Sequence, residues 1–291
     1  DPEEMRLAMK SYFEVIGRID PFDILGVPGI VPRPARWKLR PTMRLFENAI
    51  DAIISTRRER IAKNPASAPR DVLTLLLQAA DPETGEALSE TEVRANILTF
   101  IAAGHETTAN CIAWSLFLLS QSDEWRARVQ EEADHKLDDM AEEGATDSLH
   151  DTRAVIDEAN RLYPPITAIS RAAIGHDELN GQTIKPGTLV VIAPYVLHRH
   201  RALWAKPSRF DPNRFAGSAR DNIDRFAYLP FGAGPRVCIG ATFAIQEASI
   251  VIATLMRHFT LQLSPGHVAW PVQKVTLRPK GGLPMMVRRR Q

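Results

Sequence analysis

The segment Phe231–Gly240, FGAGPRVCIG, sets Cys238 in a loop whose glycines and proline give little regular structure. Such residues allow tight turns and let the backbone approach another group closely. Gly240 comes just before a long apolar helical pattern, so the thiol is expected near the positive end of a helix, and Arg236 adds a second positive charge. Both features favour the thiolate, which is the form of cysteine that binds metals.

The chain offers this thiolate few partners for a metal site. Its other cysteine, Cys111, lies in an apolar pattern and is predicted to belong to the core. We interpret His105, His198 and His200 as exposed or hydrogen-bonded side chains, because none stands at zinc-site spacing from Cys238. A single thiolate fits a cofactor that supplies the other donors itself, as haem does. The alternative, a small buried apolar cysteine, stays open at this point.

A second group of polar residues interrupts the most apolar part of the chain, Ile97–Leu119. Gly104 lacks a side chain where another group could approach the backbone. Glu106 and Thr107 place an acid and a hydroxyl where each costs free energy unless it is hydrogen-bonded or used. Such a pair could relay the protons that oxygen activation at a haem consumes. The alternative is a locally hydrogen-bonded polar pair in a buried helix.

The cysteine loop resembles the haem-binding loop of the cytochrome P450 monooxygenases. Five of its residues stand at the family spacing: Phe231, Gly234, Arg236, Cys238 and Gly240. Two further motifs lie earlier in the chain, in the order that the family has. AGHETT, residues 103–108, resembles the oxygen-binding segment of the long central helix, and EANR, residues 158–161, resembles the Glu-x-x-Arg pair. The resemblance extends over the chain from about Pro41 onward.

The resemblance gives Glu158 and Arg161 a structural role. Their i, i+3 spacing puts them on one helix face, and alone they would be a solvated surface pair. FDPNRF, residues 210–215, is similar to the family segment whose arginine, here Arg214, joins the pair. The resemblance therefore implies a buried triad that fixes the loop leading to Cys238.

The resemblance also implies which residues surround a haem b. Cys238 would bind the iron, and Glu106 and Thr107 would be the catalytic residues on the other face of the haem. Arg171 and Arg236 would pair with the propionates. Further haem contacts would be Phe231, Gly232, Gly240, Ala103 and Gly104. The substrate would contact residues that are small or apolar, which favours an apolar ligand: Ala103, Ile166, Thr167, Ala168 and Ile169.

The hydrophobic periodicity predicts a mainly α fold with a small β portion, an α+β domain. The resemblance implies that this single domain, residues 1–291, is of the cytochrome P450 type. Residues 1–170 are predicted to be mostly helical, with a central helix at about Glu90–Ser120 that begins at a capping box of Ser89 and Glu92. Residues 171–291 are predicted to hold short strands, the haem-binding loop and a C-terminal helix. Further predicted elements are helices at Pro41–Lys63, Val72–Ala80, Asp123–Leu137 and Ala241–His258, a hairpin turn at Asn180–Gly181, and strands at Phe259–Leu263, Lys274–Pro279 and Leu283–Arg289.

The N-terminal contributions of the family are not recognised in this chain, and the Trp37–Arg40 segment, WKLR, does not sit where a propionate-binding motif belongs. We therefore expect a domain truncated at its N-terminus by roughly a third. The formal net charge of +1 gives no reason to expect nucleic acid as a partner. Two cysteines and the absence of a membrane-span pattern predict a cytoplasmic protein with free thiols.

Together these observations predict a haem-thiolate monooxygenase that inserts one atom of O2 into an apolar small molecule. The chain carries no flavin or nicotinamide motif, so a ferredoxin or a flavoprotein reductase is expected to supply the electrons. Two alternatives stay open. One is a peroxygenase driven by hydrogen peroxide, which would not need the acid and alcohol pair. The other is a haem-binding or haem-free fragment without catalytic activity.

Overall fold

The computed structural model describes Ala8, residues 40–139 and residues 145–290. Helices dominate the regular structure and short strand pairs make up the remainder, which confirms the predicted α+β class. The α-helices of these residues are α1 Arg40–Lys63, α2 Val72–Gln78, α3 Glu90–Ser120, α4 Asp123–Lys136, α5 His150–Leu162, α6 Pro194–Leu197 and α7 Ala241–His258. The 3-10 helices are Pro65–Ser67, Leu137–Asp139, Ala145–Ser148, Pro212–Phe215, Gly217–Asn222 and Gly234–Arg236.

The strands of the described residues form antiparallel pairs, β1 with β4, β2 with β3, β5 with β8 and β6 with β7. The β2–β3 hairpin turns at Asn180 and Gly181, whose φ angles of 50° and 77° are the left-handed pair that a type I′ turn requires. The strand bounds are β1 Ile169–Ala172, β2 Asp177–Leu179, β3 Gln182–Ile184, β4 Leu189–Ile192, β5 Phe259–Leu263, β6 Pro271–Gln273, β7 Leu277–Pro279 and β8 Met285–Arg289.

Helix α3 is the predicted central helix, and its start is fixed by a reciprocal pair of hydrogen bonds. The Ser89 backbone N–H donates to Glu92 Oε2 at 2.8 Å, and the Glu92 N–H donates to Ser89 Oγ at 3.3 Å. This is the capping box that the sequence predicts. None of the described helices combines the length and the apolar character that a bilayer crossing requires.

Residues 1–105 form one compact unit. In its described part, Ile50 and Ile54 of α1 pack with Val93 near the start of α3, and all three side chains are buried. Arg94 donates from Nε to Asp51 Oδ1 at 2.6 Å and so ties the same two helices together. The opening segment and residues 37–39 of the WKLR motif lie outside the described residues.

Residues 106–291 form the second compact unit. Its core gathers side chains from α4, α5, α7 and the second half of α3, which remove their apolar surface from water by packing against one another. Trp204, Phe215 and Ala227, from the stretch between α6 and α7, and Leu261 of β5 also belong to this core. Its most buried members include Val129, Ala154, Val155, Ile156, Ala248 and Ile252.

Candidate active site

The segment around Cys238 is a closed loop held by its own backbone. The Cys238 N–H donates to the Phe231 carbonyl at 2.9 Å, and the Val237 N–H donates to the Gly234 carbonyl at 3.0 Å. Gly232 and Gly234 adopt φ angles of 74° and 75°, where a side chain would strain the backbone. The loop therefore needs its glycines, and it ends where α7 begins.

The two cysteines of the chain have opposite surroundings. Cys111 is buried in the core, and burial raises the pKa of its thiol to about 12, so it stays protonated. Cys238 is exposed and forms no disulfide. Its neighbours Val237, Ile239 and Phe243 are also exposed, with 85% of Ile239 accessible. An accessible thiol beside apolar side chains suits a flat apolar cofactor that is bound through a thiolate.

The donor set around Cys238 fits haem b better than a bare metal ion. Among the described residues, no three His, Cys, Asp or Glu side chains are grouped as a metal site would require. A haem brings four nitrogen donors of its own and needs only one strong protein ligand. Arg236 lies exposed in the same loop, where its guanidinium is available to a carboxylate.

Strand β1 lies beside the cysteine loop. A Cβ atom added at Gly232 would meet Ile169 Cδ1 at 3.5 Å, so the first residue of β1 contacts the loop. Arg171, two residues further along, is exposed and donates from Nη1 to the Ser170 carbonyl at 2.8 Å. The structure thus brings one predicted substrate residue and one predicted propionate partner into the strand next to the loop.

The rest of the predicted substrate segment connects α5 to β1. Ile166 and Ala168 are exposed, and Thr167 is half-buried. The segment is anchored at two carbonyls: Thr167 accepts from the Tyr195 N–H at 3.2 Å, and Pro165 accepts from the Leu277 N–H at 2.9 Å. Its backbone is therefore fixed while its apolar side chains remain free to contact a ligand.

The acid and alcohol of α3 are both partly buried. Glu106 is 13% exposed, and its Oε1 lies 3.6 Å from Nη1 of Arg278. The second oxygen of Glu106, Oε2, is buried and accepts no hydrogen bond from the described residues. Thr107 is half-buried and Thr108 is buried. Ala103 and Gly104, one turn earlier on the helix, are exposed.

Glu158 and Arg161 form a fully buried ion pair on α5. Arg161 donates from Nε to Glu158 Oε2 at 2.6 Å and from Nη2 to Oε1 at 2.8 Å. Burial raises the pKa of Glu158, and the hydrogen bonds from Arg161 oppose that shift. The remaining N–H groups of Arg161 donate to the carbonyls of His198, Pro207 and Arg209.

Arg214 lies beside this pair, with its Nε 3.6 Å from Glu158 Oε1. Its Nη2 donates to the Ala205 carbonyl at 2.6 Å. The carboxylate of Glu158 also accepts the Asp211 N–H at 2.9 Å. The three residues that the sequence grouped as a triad therefore meet on one carboxylate, and together they hold the irregular stretch 198–214.

A second buried carboxylate, Asp157, was missed by the sequence analysis. It is 1% exposed and pairs with Arg153 and with Arg220. The Tyr228 hydroxyl donates to the Asp157 carbonyl at 2.8 Å and lies 3.1 Å from its Oδ1. Burial raises the pKa of the Tyr228 phenol well above its usual value, so the phenol stays a donor. The sequence offered one signal for Asp157, which is its position directly before Glu158.

His198 is a buried positioning residue rather than a surface histidine. It is fully buried, and its Nε2 accepts the Leu229 N–H at 2.8 Å, two residues before the loop begins at Phe231. Burial lowers the pKa of His198 to about 4, so the ring is neutral at physiological pH. Its interpretation as a hydrogen-bonded histidine agrees with this geometry.

Comparisons with known proteins agree with this arrangement. The family model described as Cytochrome P450 matches residues 1–285. The cyclooctat-9-en-7-ol 5-monooxygenase of Streptomyces melanosporofaciens is 36% identical over 248 residues, 83% of this chain and 52% of that protein. The bifunctional cytochrome P450/NADPH–P450 reductase 2 of Bacillus subtilis (strain 168) is 33% identical over 258 residues, 88% of this chain and 24% of that protein.

The solved haem domain of cytochrome P450DA has the same fold. Its TM-score is 0.84 at 28% identity, and the match covers 99% of this chain and 61% of that one. This chain spans about half the length of the monooxygenase named above. Proteins of the family are haem-thiolate proteins that bind haem b, the cofactor that the Cys238 loop fits. The chain belongs to the cytochrome P450 family.

Proposed function

We propose that this chain is the haem-binding portion of a monooxygenase that inserts one atom of O2 into an apolar small molecule. The observation that carries the proposal is the contrast between the two thiols. Cys111 is buried and protonated, whereas Cys238 is exposed in a glycine-shaped loop at the start of α7. Cys238 is the residue that would bind the haem iron.

When bound, a thiolate-ligated haem supplies the electron density that favours cleavage of the O–O bond. The protein residues supply positions and protons. Arg236 and Arg171 would hold the propionates through charge-assisted hydrogen bonds. Glu106 would take and release protons at Oε2, and Thr107 would pass them on through its hydroxyl. Glu158, Arg161 and Arg214 would keep the loop in place without touching substrate.

The substrate would be an apolar molecule. Ala103, Ile166, Thr167, Ala168 and Ile169 are its proposed contacts, and together they offer one hydroxyl and no charge. A charged ligand would lose its hydration here without an opposite partner. The Streptomyces relative is named for its action on cyclooctat-9-en-7-ol, an alcohol.

The electrons would come from a ferredoxin or a flavoprotein reductase in the cytoplasm. No flavin or nicotinamide motif is recognised in this sequence. The Bacillus relative is named as a cytochrome P450 and a reductase in one chain, so the donor could be fused or separate. Reconstitution with a ferredoxin and with a flavoprotein reductase, each in turn, shows which class of donor supplies the electrons.

The test begins with the absorption spectrum of the full-length, haem-loaded protein, reduced and exposed to carbon monoxide. A red-shifted carbonyl band is expected from thiolate ligation. Turnover of a panel of apolar substrates is then compared with O2 plus reductase and with hydrogen peroxide alone. Product that needs O2 and reductase supports the monooxygenase. Product with peroxide and none with O2 plus reductase would contradict it in favour of a peroxygenase. A protein without the carbonyl band would be neither kind of enzyme.

A further inference from the structure

Three consecutive residues, Thr276 to Arg278, contact one face of helix α3. The Thr276 hydroxyl oxygen accepts from Asn110 Nδ2 at 3.0 Å, and the Leu277 carbonyl accepts from Trp114 Nε1 at 3.0 Å. Thr276, Asn110 and Trp114 are all buried. These hydrogen bonds join residues more than 160 positions apart, so they fix where β7 begins against the helix.

Arg278 is the next residue after this anchor, and it faces Glu106. Residues 106, 110 and 114 follow one another at four-residue steps, which places them on one side of a helix. Because the partners of Asn110 and Trp114 are fixed, the backbone at residue 278 places the Arg278 guanidinium beside Glu106, the third residue on this side of the helix. Nη1 lies 3.6 Å from Glu106 Oε1, and the arginine side chain is 34% exposed.

The two oxygens of Glu106 therefore have different roles. Oε1 faces the cation, whereas Oε2 is buried and accepts no hydrogen bond from the described residues. A buried acceptor without a partner is rare and calls for a reason. A role in binding and releasing a proton would be such a reason for Oε2.

We propose that Arg278 is a positioning residue for Glu106, which holds the carboxylate by one oxygen and leaves Oε2 directed to exchange protons. The inference rests on the proposed function, since it assigns a purpose to the acid of the proton relay. It also requires that the anchored segment 276–278 set the position of the cation. The Leu277 N–H, which donates to Pro165, links the same segment to the start of the substrate contacts.

The first measurement asks whether the pair exists in solution and needs no turnover. Full-length, haem-loaded wild type, Arg278→Gln, Glu106→Gln and the double variant are unfolded in denaturant. If the two residues interact, the midpoint shifts of the single variants will not add up to the shift of the double variant. Additive shifts would overturn the proposal. Lys280→Gln, which removes a cation two residues away, is the matched control and should be additive with Glu106→Gln.

The second measurement is product formed per electron pair consumed. A positioned proton donor contributes about 10²–10⁴-fold to its step, so Glu106→Gln should lose most of the product and Arg278→Gln an intermediate share. Arg278→Lys keeps the cation and should recover most of that loss, and Lys280→Gln should match wild type. The carbon–oxygen stretching band of the reduced carbonyl should shift in Arg278→Gln and return towards the wild-type position in Arg278→Lys.

If Arg278→Gln forms as much product per electron pair as wild type while Glu106→Gln forms less, the role of Arg278 is overturned and that of Glu106 is not. If Arg278→Lys forms as little product per electron pair as Arg278→Gln, the role of Arg278 is also overturned, because a cation at this position would then not be sufficient. A wild-type protein that forms no product would contradict the proposed function instead, and the unfolding measurement would still decide whether Arg278 holds Glu106.

Discussion

Arg161 meets Glu158 through two hydrogen bonds, from Nε at 2.6 Å and from Nη2 at 2.8 Å, at a place where neither side chain is exposed to water. The same guanidinium donates to the carbonyls of His198 and Pro207, both at 2.7 Å. One planar cation thus connects helix α5 to a stretch with little regular structure. Lysine has a single ammonium group and could not reproduce this fork.

We predict that Glu158→Ala or Arg161→Ala yields little haem-loaded protein. Each change leaves a buried charge without its partner, which costs about 3–5 kcal/mol of stability. Arg161→Lys should fail in the same way. Yield, haem content and thermal unfolding of the full-length protein measure the effect.

Arg257→Ala is the matched control for these variants. Arg257 also forms two hydrogen bonds to a carboxylate, that of Asp138, but this pair lies at the surface. Its loss should leave the stability close to that of wild type, because an exposed ion pair is screened by water. Equal stability of Arg161→Ala and Arg257→Ala would contradict the prediction.

The second prediction concerns the iron ligand. Cys238→Ser should abolish the red-shifted band of the reduced carbonyl complex, because serine offers no thiolate. Cys111→Ser should keep the band, since the Cys111 thiol is buried in the core and protonated. Spectra of both variants at equal haem content are the measurement. A band that survives in Cys238→Ser and disappears in Cys111→Ser would reverse the assignment.

Thr107→Ala should leave haem binding and the carbonyl band intact while less product forms per electron pair. The reason is that its hydroxyl, and not its packing, serves proton transfer, to which such groups contribute about 10²–10⁴-fold. Hydrogen peroxide release and product formation are measured together. Thr107→Ser keeps the hydroxyl and is the control that should behave like wild type. Thr108 is a poor control, because it is buried and its truncation would disturb the core.

The acid limit of stability should depend on His198. Its pKa is about 4 in the folded protein and about 6.5 when unfolded. Between these values the unfolded chain binds more protons, so the histidine's contribution is complete above pH 6.5 and is lost as the pH falls towards 4. The slope is at most about 1.4 kcal/mol per pH unit.

Denaturant unfolding of wild type and His198→Gln at several pH values tests this assignment. The variant should be less stable at pH 7.5, because the Leu229 N–H loses the imidazole nitrogen that accepts its hydrogen bond. The stability of the variant should also change less than that of wild type between pH 6.5 and 4. Parallel curves for the two proteins would show that another group sets the acid limit.

The parts of the fold with local signals could be predicted from the sequence. Helix α7 has the predicted bounds, because Gly240 precedes it and its apolar pattern is continuous. Strand β6, Pro271–Gln273, was not predicted, since three residues show no alternation and the strand exists through its pairing with β7. The predicted strand Lys274–Pro279 is shorter than expected, because the Lys274 N–H turns back to the Thr276 carbonyl.

The candidate site divides in the same way. Loop glycines, the cysteine and the acid and alcohol pair follow from residue types and spacing within about ten positions. The partners Asp157 with Tyr228 and Glu106 with Arg278 do not, because their pairing depends on how distant segments pack. An arginine in a segment such as Lys274–Pro279 is typical of a solvated strand. Arg278 reaches Glu106 because the preceding residues, Thr276 and Leu277, are hydrogen-bonded to the helix.

The two neighbouring acids of α5 receive their distant partners late in synthesis. Asp211, which donates its N–H to Glu158, follows it by 53 residues, and Tyr228 follows Asp157 by 71. At about 5–20 residues per second, the ribosome needs roughly 4–14 s to supply Tyr228 after Asp157. During that interval these two carboxylates have only their partners on the same helix, Arg153 and Arg161. The full set of hydrogen bonds around α5 can therefore form only after the segment that leads into the haem loop has been made.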